Sequence, residues 1–425
     1  MDLLDNGLTV VTVEMPHIHS VELAVFVRAG LRFENEKNNG VFHFLEHMLF
    51  RGNEKFPDSV RLNREFESLG RELRASTLSE YTYYGFSPHI SRFPRAVELF
   101  ADFFTRPTFS GIELERQIIL EECQEELNEK GENIDIDDQA CRLLYEGNPL
   151  SWQTIGSEET IAAMDEEMLR QAFETHYVPG NMVLAAAGPI RHEEFIAMAC
   201  RYFSRFPAGG RVFPPDYFQG SVDEMQDGPR CRFQQDSDSQ VQLQVCFRGV
   251  SYNHPDYHAL CLINRIFDDG FSSRLQRALR EDRGLVYSVE CRATSLADIG
   301  TLDFDVSVRP EKLLEVAGIL LAEIKGFAAG GPTDDELAHV KQRTLFDLDV
   351  DRDGPYEQLI RFGLPLLYSS PLSPEDEWRR IEKITRDDLH ALARRLLVRE
   401  KLNLIVVGPV TADHRRRLKE AVEAY

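Results

Sequence analysis

The chain has 425 residues, of which 43% are hydrophobic and 28% charged, and this length is sufficient for two or more globular domains. The formal net charge of −23 argues against a nucleic-acid partner and against an anionic membrane, because both require a basic surface. The seven cysteines include no CxxC pair and their number is odd, which argues against a disulfide framework and favours a reducing compartment.

The N-terminal segment, MDLLDNGLTVVTVEM, lacks the basic start and the long apolar stretch of a signal peptide. It predicts instead a strand that follows an Asn-Gly turn. No run of about 18 apolar residues occurs along the chain. We therefore expect a cytoplasmic protein with no membrane partner.

The next element, GVFHFLEHMLFRG, has the apolar spacing of a buried helix. His43 and His47 lie one turn apart on this helix, and Glu46 lies beside them. Two imidazoles in this arrangement can hold one zinc ion while the glutamate takes a proton from an activated water, as in the inverted zincin pattern H-x-x-E-H. Two unrelated histidines are the alternative, but polar groups on a buried helix need partners. The segment therefore predicts a catalytic site with one zinc ion per chain.

A third protein ligand must come from elsewhere, because a catalytic zinc ion usually has three. The acidic helix predicted over residues 113–130 has an apolar stripe centred between Ile118 and Ile119. Three glutamates fall on the centre of this stripe: Glu115, Glu122 and Glu126. A carboxylate there requires a compensating partner such as zinc, which favours Glu122 over its neighbour Glu121 without separating it from the other two. A simply solvated helix face is the alternative.

Two pairs of segments repeat along the chain with a constant offset of 220 residues. Residues 21–30 match residues 241–250, and residues 160–190 match residues 380–410 without a gap. Two matches at one offset indicate a tandem duplication. At this offset the three motif residues of the first copy correspond to apolar residues of the second copy: Ile263, Ile266 and Phe267. One half is therefore predicted to be catalytic, and the other half to have lost the metal site.

The duplication predicts two homologous domains, residues 1–212 and 230–425, joined at residues 213–229 by a linker rich in Pro, Gly and Asp. Each half contains alternating strand patterns such as LTVVTVEM, which are followed by helix patterns. The predicted fold class is therefore α+β, in which each domain has a mostly antiparallel sheet with helices packed on one face.

These motifs resemble the family of pitrilysin, insulin-degrading enzyme and the mitochondrial processing peptidases, and the resemblance covers essentially the whole chain. HFLEHMLFRG resembles the zinc helix of that family. ERQIILEE resembles the segment with the distal zinc ligand, which lies seven residues after the glutamate of Glu-Arg. The resemblance implies that Glu122 is the third ligand and that Glu115, one heptad earlier, is a supporting carboxylate of the catalytic site.

In the second half, FSSRLQRALREDRGLVYSV resembles a family segment that carries an arginine and a tyrosine seven residues apart, here Arg280 and Tyr287. The resemblance implies that both residues face the active site, where the arginine holds a substrate carbonyl and the tyrosine stabilises the oxyanion. Without the resemblance, a surface arginine and a core tyrosine would be expected. Arg283 is a competing candidate by proximity.

The segment LGRELRASTLSEYTYYGF, residues 69–86, resembles the family's edge strand, to which a peptide substrate adds as a further strand. The resemblance implies substrate contacts at three positions: Ala75, Ser76 and Thr77. The chain departs from the family pattern at Arg74, where asparagine is usual, and at Arg71, where glycine is frequent. Because arginine cannot accept the hydrogen bond that an asparagine amide accepts, we expect a specialised substrate or a different subsite preference.

The chain length is similar to that of the bacterial and mitochondrial processing-peptidase branch, whose members dimerise around a chamber that admits unfolded peptides. The resemblance therefore implies a zinc-dependent endopeptidase that hydrolyses unfolded peptides or short polypeptides. Because one chain holds both the zinc motif and the Arg280–Tyr287 pair, a homodimer is favoured, while a heterodimer with a related subunit stays open. The alternative function is a non-catalytic or partner-dependent subunit of a heterodimeric complex.

Overall fold

The structure, a computed structural model, describes residues 1–207, 209, 213–214, 216–218, 220–222, 225–368 and 371–425. The predicted domain end at residue 212 and parts of the predicted linker at residues 213–229 lie outside these described residues. The chain forms two compact units, each built from three segments. Unit 1 contains Met1–Glu125, Trp152–Tyr217 and Leu348–Ser373, and unit 2 contains Glu126–Ser151, Phe218–Asp347 and Pro374–Tyr425.

Unit 1 has, within its described residues, a six-stranded sheet with the strand order β1-β2-β6-β3-β5-β4. Its strands are β1 (Asp2–Leu3), β2 (Thr9–Glu14), β3 (Glu22–Val27), β4 (Arg74–Thr77), β5 (Thr82–Phe86) and β6 (Met182–Gly188). Neighbouring strands run antiparallel, except that β2 and β6 are parallel. The central strands β3 and β6 are buried along their whole length, whereas β4 lies at one edge of the sheet.

Unit 2 has, over the part of the chain that is described, a five-stranded sheet with the order β7-β11-β8-β10-β9. Its strands are β7 (Arg230–Gln235), β8 (Val241–Arg248), β9 (Val289–Ser295), β10 (Gly300–Val308) and β11 (Asn403–Gly408). Only the β7–β11 pair is parallel among these strands. Two mostly antiparallel sheets with many helices confirm the predicted α+β fold class.

The helices are numbered in chain order over both units. They are α1 (Val41–Arg51), α2 (Ser59–Glu67), α3 (Phe93–Phe103), α4 (Ile112–Glu125), α5 (Ile136–Leu144), α6 (Glu158–Ala163), α7 (Glu166–His176), α8 (His192–Phe203), α9 (Tyr257–Phe267), α10 (Leu313–Gly330), α11 (Asp334–Val350), α12 (Pro355–Gly363), α13 (Pro374–Lys383), α14 (Arg386–Leu396) and α15 (Ala412–Glu423). None of the described helices is long and apolar enough to cross a membrane. All seven cysteines are free thiols.

The two faces of the unit 1 sheet bury different sets of side chains. On one face, Leu23 and Val25 of β3 belong to a large core that includes the apolar side chains of α1, α3 and α8. On the opposite face, Ala24 and Phe26 pack with Leu359 of α12. The end of α12 approaches the sheet so closely that a Cβ atom on Gly363 would stand 2.7 Å from the Phe26 ring. Both faces are therefore covered, which explains the complete burial of β3.

Each unit contains, in the part of the chain that is described, one complete α-helix from the opposite half of the sequence. Helix α12, from the second half of the sequence, belongs to unit 1, and α5, from the first half, packs on the unit 2 sheet. The two helices are counterparts in the repeat, because their positions differ by nearly the offset of 220 residues. The predicted domains 1–212 and 230–425 do not include this exchange, because an apolar helix face does not specify which sheet will bury it. Their boundaries stay a prediction.

The internal repeat agrees with the elements in most places. Helices α7 and α14 are related by the offset of 220 residues. Helices α1 and α9 have eleven residues each, but the connection that precedes α9 is shorter, so the offset between them is 216. The counterparts of the motif residues are therefore Ala259, Leu262 and Ile263 rather than Ile263, Ile266 and Phe267. These residues are also apolar, so the inferred loss of the motif is unchanged.

A buried carboxyl group in unit 2 gives the first testable prediction. Asp303 on β10 is 6% exposed, its Oδ2 atom accepts a hydrogen bond from Thr301 Oγ1 (2.6 Å), and burial raises its pKa from 3.8 to about 7. Since the folded-state pKa lies above the unfolded value, its contribution to stability is present below about pH 4 and is lost as the pH rises through 7. We expect Asp303→Asn to raise the free energy of unfolding at pH 8 by on the order of 1–4 kcal/mol.

Urea unfolding of the wild type and of Asp303→Asn at pH 4 and pH 8 measures this effect, with Asp282→Asn, at an exposed position of the same unit, as the control. A gain at pH 8 that shrinks at pH 4 is expected for Asp303→Asn alone. Equal effects at the two pH values, or a loss of stability at pH 8, would contradict the assignment.

Candidate metal centre

The N-terminus of α1 is held by the buried carboxylate of Glu34. Its Oε2 atom accepts a hydrogen bond from the Gly40 backbone N–H (2.8 Å), and its Oε1 atom accepts one from the Phe42 N–H (3.2 Å). Gly40 has φ of 88°, and a Cβ atom there would stand 2.5 Å from the Ile155 carbonyl oxygen, so glycine is required. Two N–H groups that a helix start leaves unpaired are thus satisfied, and the first turn of α1 is fixed.

Two histidines of α1 and one glutamate of α4 converge. One ligand atom from each of His43, His47 and Glu122 lies within 4.8 Å of the others, and this is the only group of three or more potential metal ligands among the described residues. The His43 Nε2–Glu122 Oε1 distance is 3.7 Å, and the His47 Nε2–Glu122 Oε2 distance is 3.5 Å. Two imidazoles and one carboxylate are a donor set that suits a catalytic zinc ion with one open position.

The two histidines differ in their electrostatic surroundings. Burial, with a smaller contribution from His47, lowers the pKa of His43 to about 3, which keeps this imidazole neutral, as a metal ligand must be. Its Nδ1 atom is buried and has no hydrogen-bond partner among the described residues. Burial alone would lower the pKa of His47, but its hydrogen bond to Glu115 and nearby carboxylate charges raise that pKa above its ordinary value.

Glu115 orients the His47 ring through Nδ1, the ring nitrogen that does not face Glu122. The His47 Nδ1–Glu115 Oε1 distance is 2.9 Å, and Arg51 Nε forms an ion pair with Glu115 Oε2 at 3.3 Å. Because the carboxylate can only accept, Nδ1 donates its proton and the lone pair of Nε2 is directed toward Glu122. The sequence did not single out Arg51, although its position one turn after His47 on α1 is a usable signal.

Glu46 is tied to the edge of the sheet. Its Oε2 atom accepts a hydrogen bond from Thr77 Oγ1 (2.5 Å), and burial raises the pKa of its carboxyl group. Thr77 is the last residue of β4, so the edge strand runs beside the glutamate of the H-x-x-E-H motif. The sequence predicted Thr77 as a substrate contact and did not foresee its contact with Glu46.

The predicted acidic helix is shorter than expected. Helix α4 ends at Glu125, and the chain then turns back, with Gly131 at φ 74° and with Leu127 and Asn133 forming an isolated bridge. Glu126 therefore lies beyond the helix, and the prediction that it shares the helix stripe is wrong. Glu122 itself has a side chain 45% exposed, so it lies at the margin of the buried stripe rather than at its centre.

Arg280 and Tyr287 lie together in unit 2. Arg280 belongs to a π-helical turn, Gln276–Glu281, and its guanidinium lies 5.5 Å from the centre of the Tyr287 ring and 5.0 Å from that of Phe271. Tyr287 is 85% exposed. The core tyrosine that would be expected without the family resemblance is therefore wrong. The competing candidate Arg283 donates a hydrogen bond to the Ala278 carbonyl oxygen (2.6 Å). No sequence signal pointed to Phe271.

Family models match most of the chain. The model described as "Insulinase (Peptidase family M16)" matches residues 9–156, and the model described as "Peptidase M16 inactive domain" matches residues 163–344. The first matched region contains the converging residues of α1 and α4, and the second contains the Arg280–Tyr287 pair.

Curated relatives match over nearly the full length. An uncharacterized zinc protease of Mycobacterium bovis is 30% identical over 410 residues, which cover 96% of this chain and 92% of the relative. The beta subunit of the mitochondrial-processing peptidase of Saccharomyces cerevisiae is 27% identical over 419 residues, which cover 95% of this chain and 90% of the subunit.

Solved structures share the fold. A protease from Helicobacter pylori superposes with a TM-score of 0.87 at 20% identity, covering 96% of this chain and 98% of that one. A protein from Pseudomonas fluorescens, described as a peptidase M16 inactive domain, superposes with a TM-score of 0.84 at 22% identity, covering 96% of this chain and 97% of that one. At these identities the superpositions establish the two-domain fold.

Proposed function

The chain belongs to peptidase family M16, as the motifs of its sequence indicated, and from this premise we propose that it is a zinc-dependent endopeptidase that hydrolyses unfolded peptides. The observation that carries the proposal is the convergence of His43, His47 and Glu122, whose ligand atoms lie within 4.8 Å of one another. These three residues would hold one zinc ion per chain. When bound, zinc lowers the pKa of a water molecule and polarises a carbonyl group.

Glu46 is the proposed general base. It precedes His47 on α1, and Thr77 holds its Oε2 atom, so that its other carboxylate oxygen can take a proton from the attacking water and pass it to the leaving amine. Thr77 thereby restricts the carboxylate to one orientation. Glu115 does not need to touch the substrate: it positions His47, and Arg51 in turn positions Glu115.

Arg280 and Tyr287 are the proposed partners of the substrate carbonyl. The guanidinium of Arg280 lies over the rings of Phe271 and Tyr287 and forms an ion pair with Glu281 at 3.5 Å, and the tyrosine is exposed, so a guanidinium and a phenol group lie close together. Both are hydrogen-bond donors of the kind that stabilises a developing oxyanion. Because the chain carries this pair as well as the metal ligands, we propose that it acts as a homodimer.

A partner-dependent subunit is the second candidate function. It is favoured by the 27% identity to the beta subunit of a mitochondrial-processing peptidase, a protein named as one subunit of a larger enzyme. In that case a related chain would have to be added before peptides are cleaved.

The purified chain, incubated alone with an unstructured peptide, tests the proposed function. We expect cleavage within the peptide and its loss on addition of a zinc chelator, because all three proposed ligands and the general base lie in one chain. The matched control is the same chelator already saturated with zinc, which should not inhibit. Cleavage only after addition of a related subunit would favour the second candidate, and no cleavage in either case would contradict both.

A further inference from the structure

We propose that Arg74, assisted by Arg71, selects peptides that carry an acidic side chain at one position of the segment bound along the edge strand β4. The inference rests on the proposed function, since it concerns the peptide that the metal centre would cleave. It assigns a specificity-determining role to a residue that lies outside the proposed zinc ligands and outside the catalytic groups.

The edge strand β4 offers its backbone to a peptide. In the described part of the sheet, β4 pairs with β5 on one side and has no strand on the other. An unpaired strand edge presents N–H and C=O groups to which an extended chain can add. Because Thr77 of this strand contacts Glu46, a peptide added along β4 would run directly beside the proposed catalytic base.

The register of the sheet places Arg74 on the face away from α1. Arg74 pairs with Gly85, and Gly85 pairs with Ala24, which belongs to the core under α12. Ala75 packs instead against the core that contains α1, and Thr77 reaches Glu46 of α1. Side chains alternate along a strand, so Arg74 and Ser76 share one face of the edge, and Ala75 and Thr77 share the other.

The guanidinium of Arg74 is available to a ligand. Arg74 is exposed, and neither it nor Arg71 makes a side-chain hydrogen bond or ion pair with another described residue. The nearby acidic groups are Glu22, Glu72 and Glu357. Glu22 is buried, which raises its pKa, and its Oε1 atom accepts a hydrogen bond from Ser87. The charges of Arg74 and Arg71 lower that pKa in part, but neither arginine forms a hydrogen bond or an ion pair with Glu22. Two exposed cations, whose charges are offset in part by the buried Glu22, are thus located at this edge of a chain whose net charge is −23.

A peptide strand on β4 would bring alternate side chains to these cations. Residues that face each other across paired strands point to the same side of the sheet, with Cβ atoms about 4.5–5.5 Å apart. Every second side chain of the peptide would therefore stand on the Arg74 side, and the remaining side chains would stand on the α1 side. An acidic residue opposite or diagonal to Arg74 is attracted, and a basic residue there is repelled.

Cleavage of matched peptides by the zinc-loaded protein tests the proposal. One unstructured peptide with a single mapped cleavage site is varied at about four positions on each side of that bond, with Glu, Gln or Lys at one position at a time. We expect kcat/KM to be about three- to tenfold higher for Glu than for Lys at one position, and weaker preferences two residues away. The variant Arg74→Glu should reverse this preference, and Arg74→Gln should abolish it. Arg64→Glu, at an exposed position of α2, makes the same change in net charge and is the control.

The outcomes separate this inference from the proposed function. A preference reversed by Arg74→Glu and unchanged by Arg64→Glu supports the role of Arg74. Cleavage by the wild type and by all three variants with the same Glu-to-Lys ratio overturns that role and leaves the peptidase intact. Equal changes in both charge-reversal variants also overturn it, because the effect would then be one of net charge. Absence of cleavage by the wild type overturns the proposed function together with this inference.

Discussion

The variant Glu46→Gln is expected to bind zinc as the wild type does and to cleave peptides with a kcat lower by roughly 10²- to 10⁴-fold. The amide keeps the size of the side chain and can still accept the hydrogen bond from Thr77, but it cannot take a proton from water. Zinc content measured by atomic absorption, together with steady-state kinetics on one peptide, gives both quantities from the same preparation.

Glu67→Gln, at the exposed end of α2, makes the same chemical change away from the centre and serves as the control. It should match the wild type in zinc content and in kcat. A Glu46→Gln protein that retains wild-type kcat would remove Glu46 from its proposed role. A Glu46→Gln protein that is inactive and also lacks zinc would show that Glu46 maintains the metal centre instead.

The second large effect is expected for Glu122→Gln, which should weaken zinc binding strongly. Loss of a group that only supports a metal ligand typically weakens binding by roughly 10- to 100-fold, and loss of a ligand should weaken it more. Glu122 is the carboxylate whose oxygens lie 3.7 and 3.5 Å from the Nε2 atoms of the two histidines. Cleavage should fall in parallel, and added zinc should restore part of it. Competition with a zinc indicator dye measures the affinity.

Glu121→Gln is the matched control, because Glu121 is exposed, adjacent on α4 and outside the converging group. Glu126→Gln is a second control, since Glu126 follows the end of the helix. Loss of zinc in Glu126→Gln but not in Glu122→Gln would overturn the choice of ligand. Equal losses in Glu121→Gln and Glu122→Gln would indicate a general effect of acidic charge.

The local pattern around the motif was sufficient to predict α1 and the positions of His43, Glu46 and His47 on it. A helix repeats every 3.6 residues, so spacing alone determines which side chains share a face. The same reasoning left Glu122 and Glu126 unseparated, because periodicity does not say where a helix ends. The end of α4 at Glu125 depends on a turn around Gly131 that the apolar stripe does not encode.

Contacts between distant segments were beyond the sequence pattern. The hydrogen bond from Thr77 to Glu46 joins an edge strand to a helix 31 residues earlier, and it depends on how the sheet and α1 pack. The packing of α12 on the unit 1 sheet likewise depends on shape, including the close approach of Gly363 to Phe26. The repeat predicted two similar halves, but their exchange of helices follows from which apolar surfaces fit together.

The departure at Arg74 changes meaning once the strand register is known. From sequence, the arginine was a missing hydrogen-bond acceptor that predicted a specialised substrate or a different subsite preference without indicating which one. On the sheet, Arg74 is paired with Gly85, and its side chain lies on the face away from α1 and therefore away from Glu46. A pattern mismatch therefore becomes a hypothesis about which peptides are accepted, with a charge-reversal test of its own.

The central claim is that one zinc ion held by His43, His47 and Glu122 enables this chain to cleave peptides. Titration of metal-depleted protein with zinc, with cleavage of one unstructured peptide as the readout, tests this claim most directly. Activity should be absent at the start, rise linearly with added zinc and level off at about one equivalent per chain. Full activity in the metal-depleted protein, or protein that binds one zinc ion per chain and still cleaves no peptide, would contradict the claim.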